Sequence, residues 1–217
     1  MKLSALTLEL RRIRYAVRIA SGRFRNNEAV HAVFARLCKP GDCVVDVGAN
    51  VGHYTKQLSD IVGLTGRVVA FEPVPETLAL LAMTVLGFRH RNVTCLGLAL
   101  DRHAGERKMA VPKQGIGKRN LYLSSFTTDD KAEFSVLAAG YDDLHLGLRP
   151  ALINVCAEGA EVEVLQSMEG SLKSYHPILV VENRSEQARS WLEDLGYAVS
   201  HIADSPSVLA IKRERQT

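Results

Sequence analysis

Cys43-Val44-Val45-Asp46-Val47-Gly48-Ala49-Asn50-Val51-Gly52 decides the fold. Its first five residues form a short, β-branched, apolar run, the next five carry two glycines, and helical spacing then runs from His53 to Val62. A strand that turns on glycines into a helix is the first half of a βαβ unit. Upstream, Lys39-Pro40-Gly41-Asp42 stops any preceding helix and fixes where the strand begins.

The same alternation continues outward. Arg67 to Phe71 reads as strand two, Pro75 to Leu86 as a helix and Asn92 to Leu98 as strand three. Leu152 to Val155, Val162 to Met168, Pro177 to Val181 and Gln187 to Leu195 repeat strand and helix, and Tyr197 to Ile202 with Val208 to Ile211 reads as an antiparallel pair at the sheet edge. Two amphipathic helices, roughly 4–20 and 26–37, precede this core. The fold class is therefore α/β, with three layers around a mostly parallel sheet. Residues 102–137 break the pattern; short alternating runs such as Lys108 to Val111 suggest extra hairpin strands or a lid.

A chain of 217 residues, 47% of them apolar, fills one domain, 1–217, and is too short for two ordinary ones. A net charge of +3 gives no electrostatic case for nucleic acid. Cys38, Cys43, Cys95 and Cys156 form neither a Cys-x-x-Cys pair nor a ligand cluster, which points to a reducing cytoplasm, and no metal site is expected. No apolar run is long enough to span a bilayer. The first helix interleaves leucine and isoleucine with Arg11, Arg12, Arg14 and Arg18. It either packs on its own domain with solvated arginines, or lies on a membrane surface or a partner.

Gly48 and Gly52 let backbone approach a ligand, and the helix start offers N–H groups, so something polar is expected there. A dinucleotide site needs G-x-G-x-x-G, and Asn50 and His53 occupy its second and third glycine positions. Glu72 ends strand two about 24 residues after Gly48, where a carboxylate can accept both hydroxyls of a ribose. An adenosine ligand without a bridging phosphate satisfies both features.

These residues resemble the FkbM family of S-adenosylmethionine-dependent methyltransferases, whose members show Asp-Val-Gly-Ala-Asn-x-Gly, then Phe-Glu-Pro, then Glu-Gly-Ala-Glu. Asp46 to Gly52, Phe71-Glu72-Pro73 and Glu158-Gly159-Ala160-Glu161 match in order and spacing, and the likeness covers roughly 28–182. The resemblance implies a seven-stranded Rossmann-like sheet and methyl transfer from S-adenosylmethionine, usually to an oxygen of a sugar, polyketide or other small metabolite. It assigns the cofactor to Asp46, Gly48, Ala49, Asn50, Gly52, Tyr54, Glu72, Pro73 and the adenine-edge residue Ala99.

The resemblance also exposes a departure. Family members typically have aspartate where this chain has Cys156, two residues before Glu158. Cysteine is a poor base, and its thiolate would itself be open to methylation. The remaining candidates for a base are Glu158 and Glu182, just past strands four and five, with Asn120, Cys156 and Asn183 expected to meet the acceptor. A small-molecule acceptor is the expected partner, and a homodimer is compatible with the sequence. The competing reading is a domain that keeps the cofactor loop but has lost chemistry with Cys156. Thr84 replaces a frequent family asparagine, a change that bears on packing. His53 is taken as a surface or capping residue of its helix, and His176 and Asp142-Asp143 as turn and helix-start residues.

Overall fold

The structure is a computed structural model that describes residues 10, 13–22, 27–110, 113–114, 118–119, 125–127, 132–182 and 186–213. In chain order these give α1 (13–20), α2 (Glu28–Leu37), β1 (Cys43–Val47), α3 (His53–Val62), β2 (Arg67–Phe71), α4 (Pro75–Leu86), β3 (Val93–Leu96), β4 (Ala99–Leu100) and β5 (Gly105–Ala110). The short strands β6 (Lys113–Gln114), β7 (Lys118–Arg119) and β8 (Ser125–Phe126) precede β9 (Phe134–Ala139) and β10 (Leu152–Val155). The chain closes with α5 (Glu161–Ser167), α6 (Glu169–Tyr175), β11 (Ile178–Glu182), α7 (Glu186–Asp194), β12 (Tyr197–His201) and β13 (Ser207–Lys212).

Seven strands form one sheet in the order β12-β13-β11-β10-β1-β2-β3. The central strands are parallel, and β13 inserts between β11 and β12, antiparallel to both. Their side chains alternate between two cores. Val45, Val47, Ile153 and Val155 pack with α5, α6 and α7, whereas Val44, Leu152 and Val180 pack against α2 and α3. Both faces are therefore covered, and β1 is buried from Val44 to Val47, as a central parallel strand requires, with Asp46 its one polar side chain. Pro75 starts α4 where its missing N–H costs nothing, and Gly63, at φ 66°, ends α3.

Two features differ from the sequence reading, whereas the extra hairpin strands it expected in 102–137 are present. Strand three stops at Leu96, and Ala99–Leu100 turns away to join a second sheet, β4-β9-β5-β8. That sheet is what the irregular stretch 102–137 builds, and an Asp101–Arg107 ion pair of 2.5 Å ties down its first turn. Helix α6 was not read from sequence; its start is held by the Asp142 carboxylate, which accepts from the Gly170 N–H at 2.8 Å and from the Ser171 hydroxyl at 2.5 Å. Asp142 and His176, the latter at φ 51° after α6, are the capping and turn residues expected. Of the first predicted helix, residues 4–9, 11 and 12 lie outside the described residues. Among the described residues, no helix is long and apolar enough to cross a membrane.

Candidate functional site

From β1 the chain crosses to β2 on one side, and β10 lies on the other, so the strand order reverses between β1 and β10. In an open α/β sheet the crevice at that point, beyond the C-terminal strand ends, is where ligands bind. A cavity of about 460 Å³ lies there. Val47 and Gly48 from β1, Phe71 and Glu72 from β2, and Cys156 and Glu158 after β10 form its floor. Met109 of β5 and Ser125 of β8 bring the second sheet to its wall.

The loop after β1 is ordered from within. The N–H groups of Gly48 and Ala49 both donate to the Phe71 carbonyl, at 3.0 and 2.9 Å, and that of Gly52 donates to the Ala49 carbonyl at 2.9 Å. The Asn50 N–H donates to Glu72 Oε2 at 2.9 Å, and the Val51 N–H to Asn50 Oδ1 at 2.8 Å. The amides of residues 48–52 thus have protein acceptors, which leaves no phosphate cradle among them. The glycines also have a different reason from the one read in sequence. A methyl on Gly48 would lie 1.9 Å from the Cys156 carbonyl oxygen, and one on Gly52 would lie 2.9 Å from Leu81. Gly48 admits the neighbouring strand, and Gly52 admits helix α4.

Asp46 sits beneath this loop, fully buried. Its carboxylate accepts from the Thr55 hydroxyl at 2.6 Å and the Asn154 amide at 2.9 Å, so it joins β1, α3 and β10 rather than lining the cavity. Burial pushes its pKa up, against those two hydrogen bonds. Glu72 is also buried, at 4% exposure, yet it borders the cavity. Its second oxygen, Oε1, accepts from the Val74 N–H at 2.9 Å. Burial, outweighing these two bonds, raises its pKa from 4.5 to about 7.

At the end of β10, the Cys156 thiol donates to Glu182 Oε2 at 2.5 Å. Ligand-type atoms of Cys156, Glu158 and Glu182 all lie within 4.8 Å of one another. Burial first, then the charge of Glu182, drives the Cys156 pKa far up. The sulfur therefore keeps its proton, and the thiolate feared from sequence does not form. Glu158 is held at φ 50°, a left-handed conformation uncommon outside glycine and concentrated at functional sites.

A family model described as the methyltransferase FkbM domain matches residues 46–199. The chain belongs to the FkbM methyltransferase family. Solved structures resemble this FkbM methyltransferase in fold. One is a methyltransferase FkbM from Methylobacillus flagellatus KT, with a TM-score of 0.57 and 12% identity, covering 96% of this chain and 60% of that one. A precorrin-6y C5,15-methyltransferase from Geobacter metallireducens GS-15 gives 0.55 and 18%, covering 87% and 90%. Aeropyrum pernix fibrillarin, solved with natively bound S-adenosyl-L-methionine, gives 0.50 and 16%, covering 84% and 73%. No curated protein matches the chain.

S-adenosylmethionine is the cofactor of this FkbM methyltransferase, and the site fits it. A carboxylate offers about four acceptor positions. Two at Glu72 are taken by the Asn50 and Val74 amides, which leaves capacity for the two hydroxyls of a ribose. Apolar Val74, Leu98 and the buried Ala99 line the same cavity, a surface that an adenine ring would fit. A diol bonds best to the ionised carboxylate, so affinity for S-adenosylmethionine is expected to fall about tenfold per pH unit below about 7 and to level off above it. Calorimetry in two buffers of different ionisation enthalpy would register the proton released on binding near pH 6.5; pH-independent affinity would refute this. The sign for stability is opposite. A carboxyl whose folded pKa is raised makes its contribution below 4.5, and this is lost as pH climbs to about 7.

Of the sequence-named residues, Gly48, Ala49, Asn50, Tyr54, Glu72, Pro73, Ala99, Cys156 and Glu158 line the cavity. Glu182 reaches it through Cys156, Asp46 and Gly52 act behind it, and Asn120 and Asn183 lie outside the described residues. His53 is corrected: it lines the cavity, bonded through Nε2 to the Tyr15 hydroxyl at 3.1 Å, and burial lowers its pKa to about 4, so it is neutral near pH 7. Tyr15, Met109 and Ser125 were missed. The 3.6-residue period that placed Tyr15 on a helix carried no sign of the partner it meets.

Proposed function

We propose that this FkbM methyltransferase methylates a hydroxyl oxygen of a small metabolite. The observation that supports this most is the pair of carboxylates gathered around a protonated thiol beside the cavity. When bound, S-adenosylmethionine supplies a methyl group on a sulfonium, which leaves as a neutral thioether, so the protein's task is to align an acceptor and remove its proton. Glu158 lines the cavity at the strand end, and its carboxylate takes that proton in this reading. Glu182 accepts the Cys156 hydrogen bond, which fixes the thiol and its own carboxylate next to Glu158. The thiol stays neutral and does not compete with the acceptor for the methyl group. Neutral His53 and the Tyr15 hydroxyl give the opposite wall a hydrogen-bonding surface suited to a hydroxylated molecule.

Formation of S-adenosylhomocysteine on incubation with a panel of hydroxylated sugars and polyketides tests the reading. Glu158→Gln is expected to lower kcat about a hundredfold on any acceptor found. Its Kd for S-adenosylmethionine should stay within about twofold. An unchanged kcat would remove Glu158 from the chemistry. Cofactor binding with no turnover across the panel would overturn O-methylation of such metabolites.

A further inference from the structure

Helix α1 has two faces with different fates. Ala16 and Ile19 are buried, and Tyr15 reaches the cavity. On the other side Leu10, Ile13 and Val17 stand 53%, 44% and 59% exposed, at the i, i+3, i+7 spacing of a single stripe. The end of α1 abuts α4 closely; a methyl on Gly87 would lie 2.8 Å from Ala20 Cβ. Near that contact α4 exposes Leu86 and Met83, and no charged residue occurs between Thr77 and Phe88.

The N-terminal stretch is also strongly basic in sequence. Six arginines and Lys2 against Glu9 give +6 within the first 27 residues, although the whole chain carries only +3. Exposed Arg14 flanks the stripe, and exposed Arg89 and Arg91 follow α4. We propose that this face docks on an anionic lipid bilayer, with Leu10, Ile13, Val17 and Leu86 entering the headgroup boundary and the arginines meeting lipid phosphates. Aliphatic residues beside arginines on the outward face of a helix are what a surface-bound helix needs. A two-fold contact between copies would set Arg14, Arg89 and Arg91 against their own copies. Single-stranded nucleic acid would engage the arginines but give aliphatic side chains nothing to stack on.

Co-sedimentation with vesicles of phosphatidylcholine mixed with phosphatidylglycerol tests the proposal, with pure phosphatidylcholine vesicles alongside. The full chain is expected to sediment with the mixed vesicles, to be released as salt rises, and to ignore the neutral ones. Val17→Glu and, separately, Arg14→Gln with Arg89→Gln should each weaken binding about tenfold. Both should retain S-adenosylmethionine binding, which shows that they are folded. Failure to sediment with the mixed vesicles would overturn the proposal. So would equal binding by the folded variants, a dimer that Val17→Glu converts to monomer, or RNA binding in place of vesicle binding.

Discussion

Gly48→Ala is expected to destabilise the protein by about 4 kcal/mol or more, enough to prevent folding in a marginally stable domain. The new methyl would lie 1.9 Å from the Cys156 carbonyl oxygen, far inside van der Waals contact. Neither side can move away easily. The Gly48 N–H is bonded to Phe71, and the Cys156 N–H donates to Val47 at 3.0 Å, so separation breaks two ladders of the central sheet. Gly63→Ala provides the comparison. Its φ of 66° is nearly that of Gly48, at 72°, but a methyl there meets nothing within 4 Å. Only the backbone cost should appear, about 1–3 kcal/mol for the glycine-favouring region that Gly63 occupies at φ 66° and ψ −164°. Urea unfolding of the two variants separates strain from collision, and equal losses would show that the close approach to Cys156 does not govern Gly48.

Glu72→Ala is expected to weaken S-adenosylmethionine binding about a thousandfold, since two hydrogen bonds to an ionised group are worth roughly 1.5–3 kcal/mol each. The side chain has a second effect. It holds the Asn50 amide of one loop and the Val74 amide at the start of α4, so its removal leaves two buried donors without their acceptor. Affinity for S-adenosylhomocysteine, which has the same ribose, should fall by the same factor in calorimetry. A loss confined to one ligand, or of less than about tenfold, would move the ribose elsewhere.

The parts legible in the sequence are those that local chemistry determines. The run 43–52 combines a buried strand, two glycines and a helix start within ten residues, and the Glu72 carboxylate follows at the distance one βα crossover allows. The boundaries of β1, α3, β2 and α4 follow from Pro40-Gly41, Gly63 and Pro75. The unread parts depend on distant partners. Gly48 needs to be glycine because of Cys156, and no local pattern links them. His53 occupies a capping position by sequence, and only Tyr15, from a helix ahead of the core, turns it into cavity wall. The break at Met168 divides two short helices that their apolar period does not distinguish from one, and the Asp142 carboxylate that starts the second comes from a separate turn.

The second sheet has a consequence for how the family diversifies. Its four strands bond to one another and, among the described residues, share no ladder with the seven-stranded sheet, yet Met109 and Ser125 reach the cavity from it. Ala99 of β4 belongs to the same sheet, so part of the cavity wall rests on a hydrogen-bond framework separate from the one that carries Glu72 and Glu158. Exchanging residues 102–137 between relatives is expected to reshape the wall that Met109 and Ser125 form, like an interchangeable die on a fixed press, while Glu72 and Glu158 keep their places on the larger sheet.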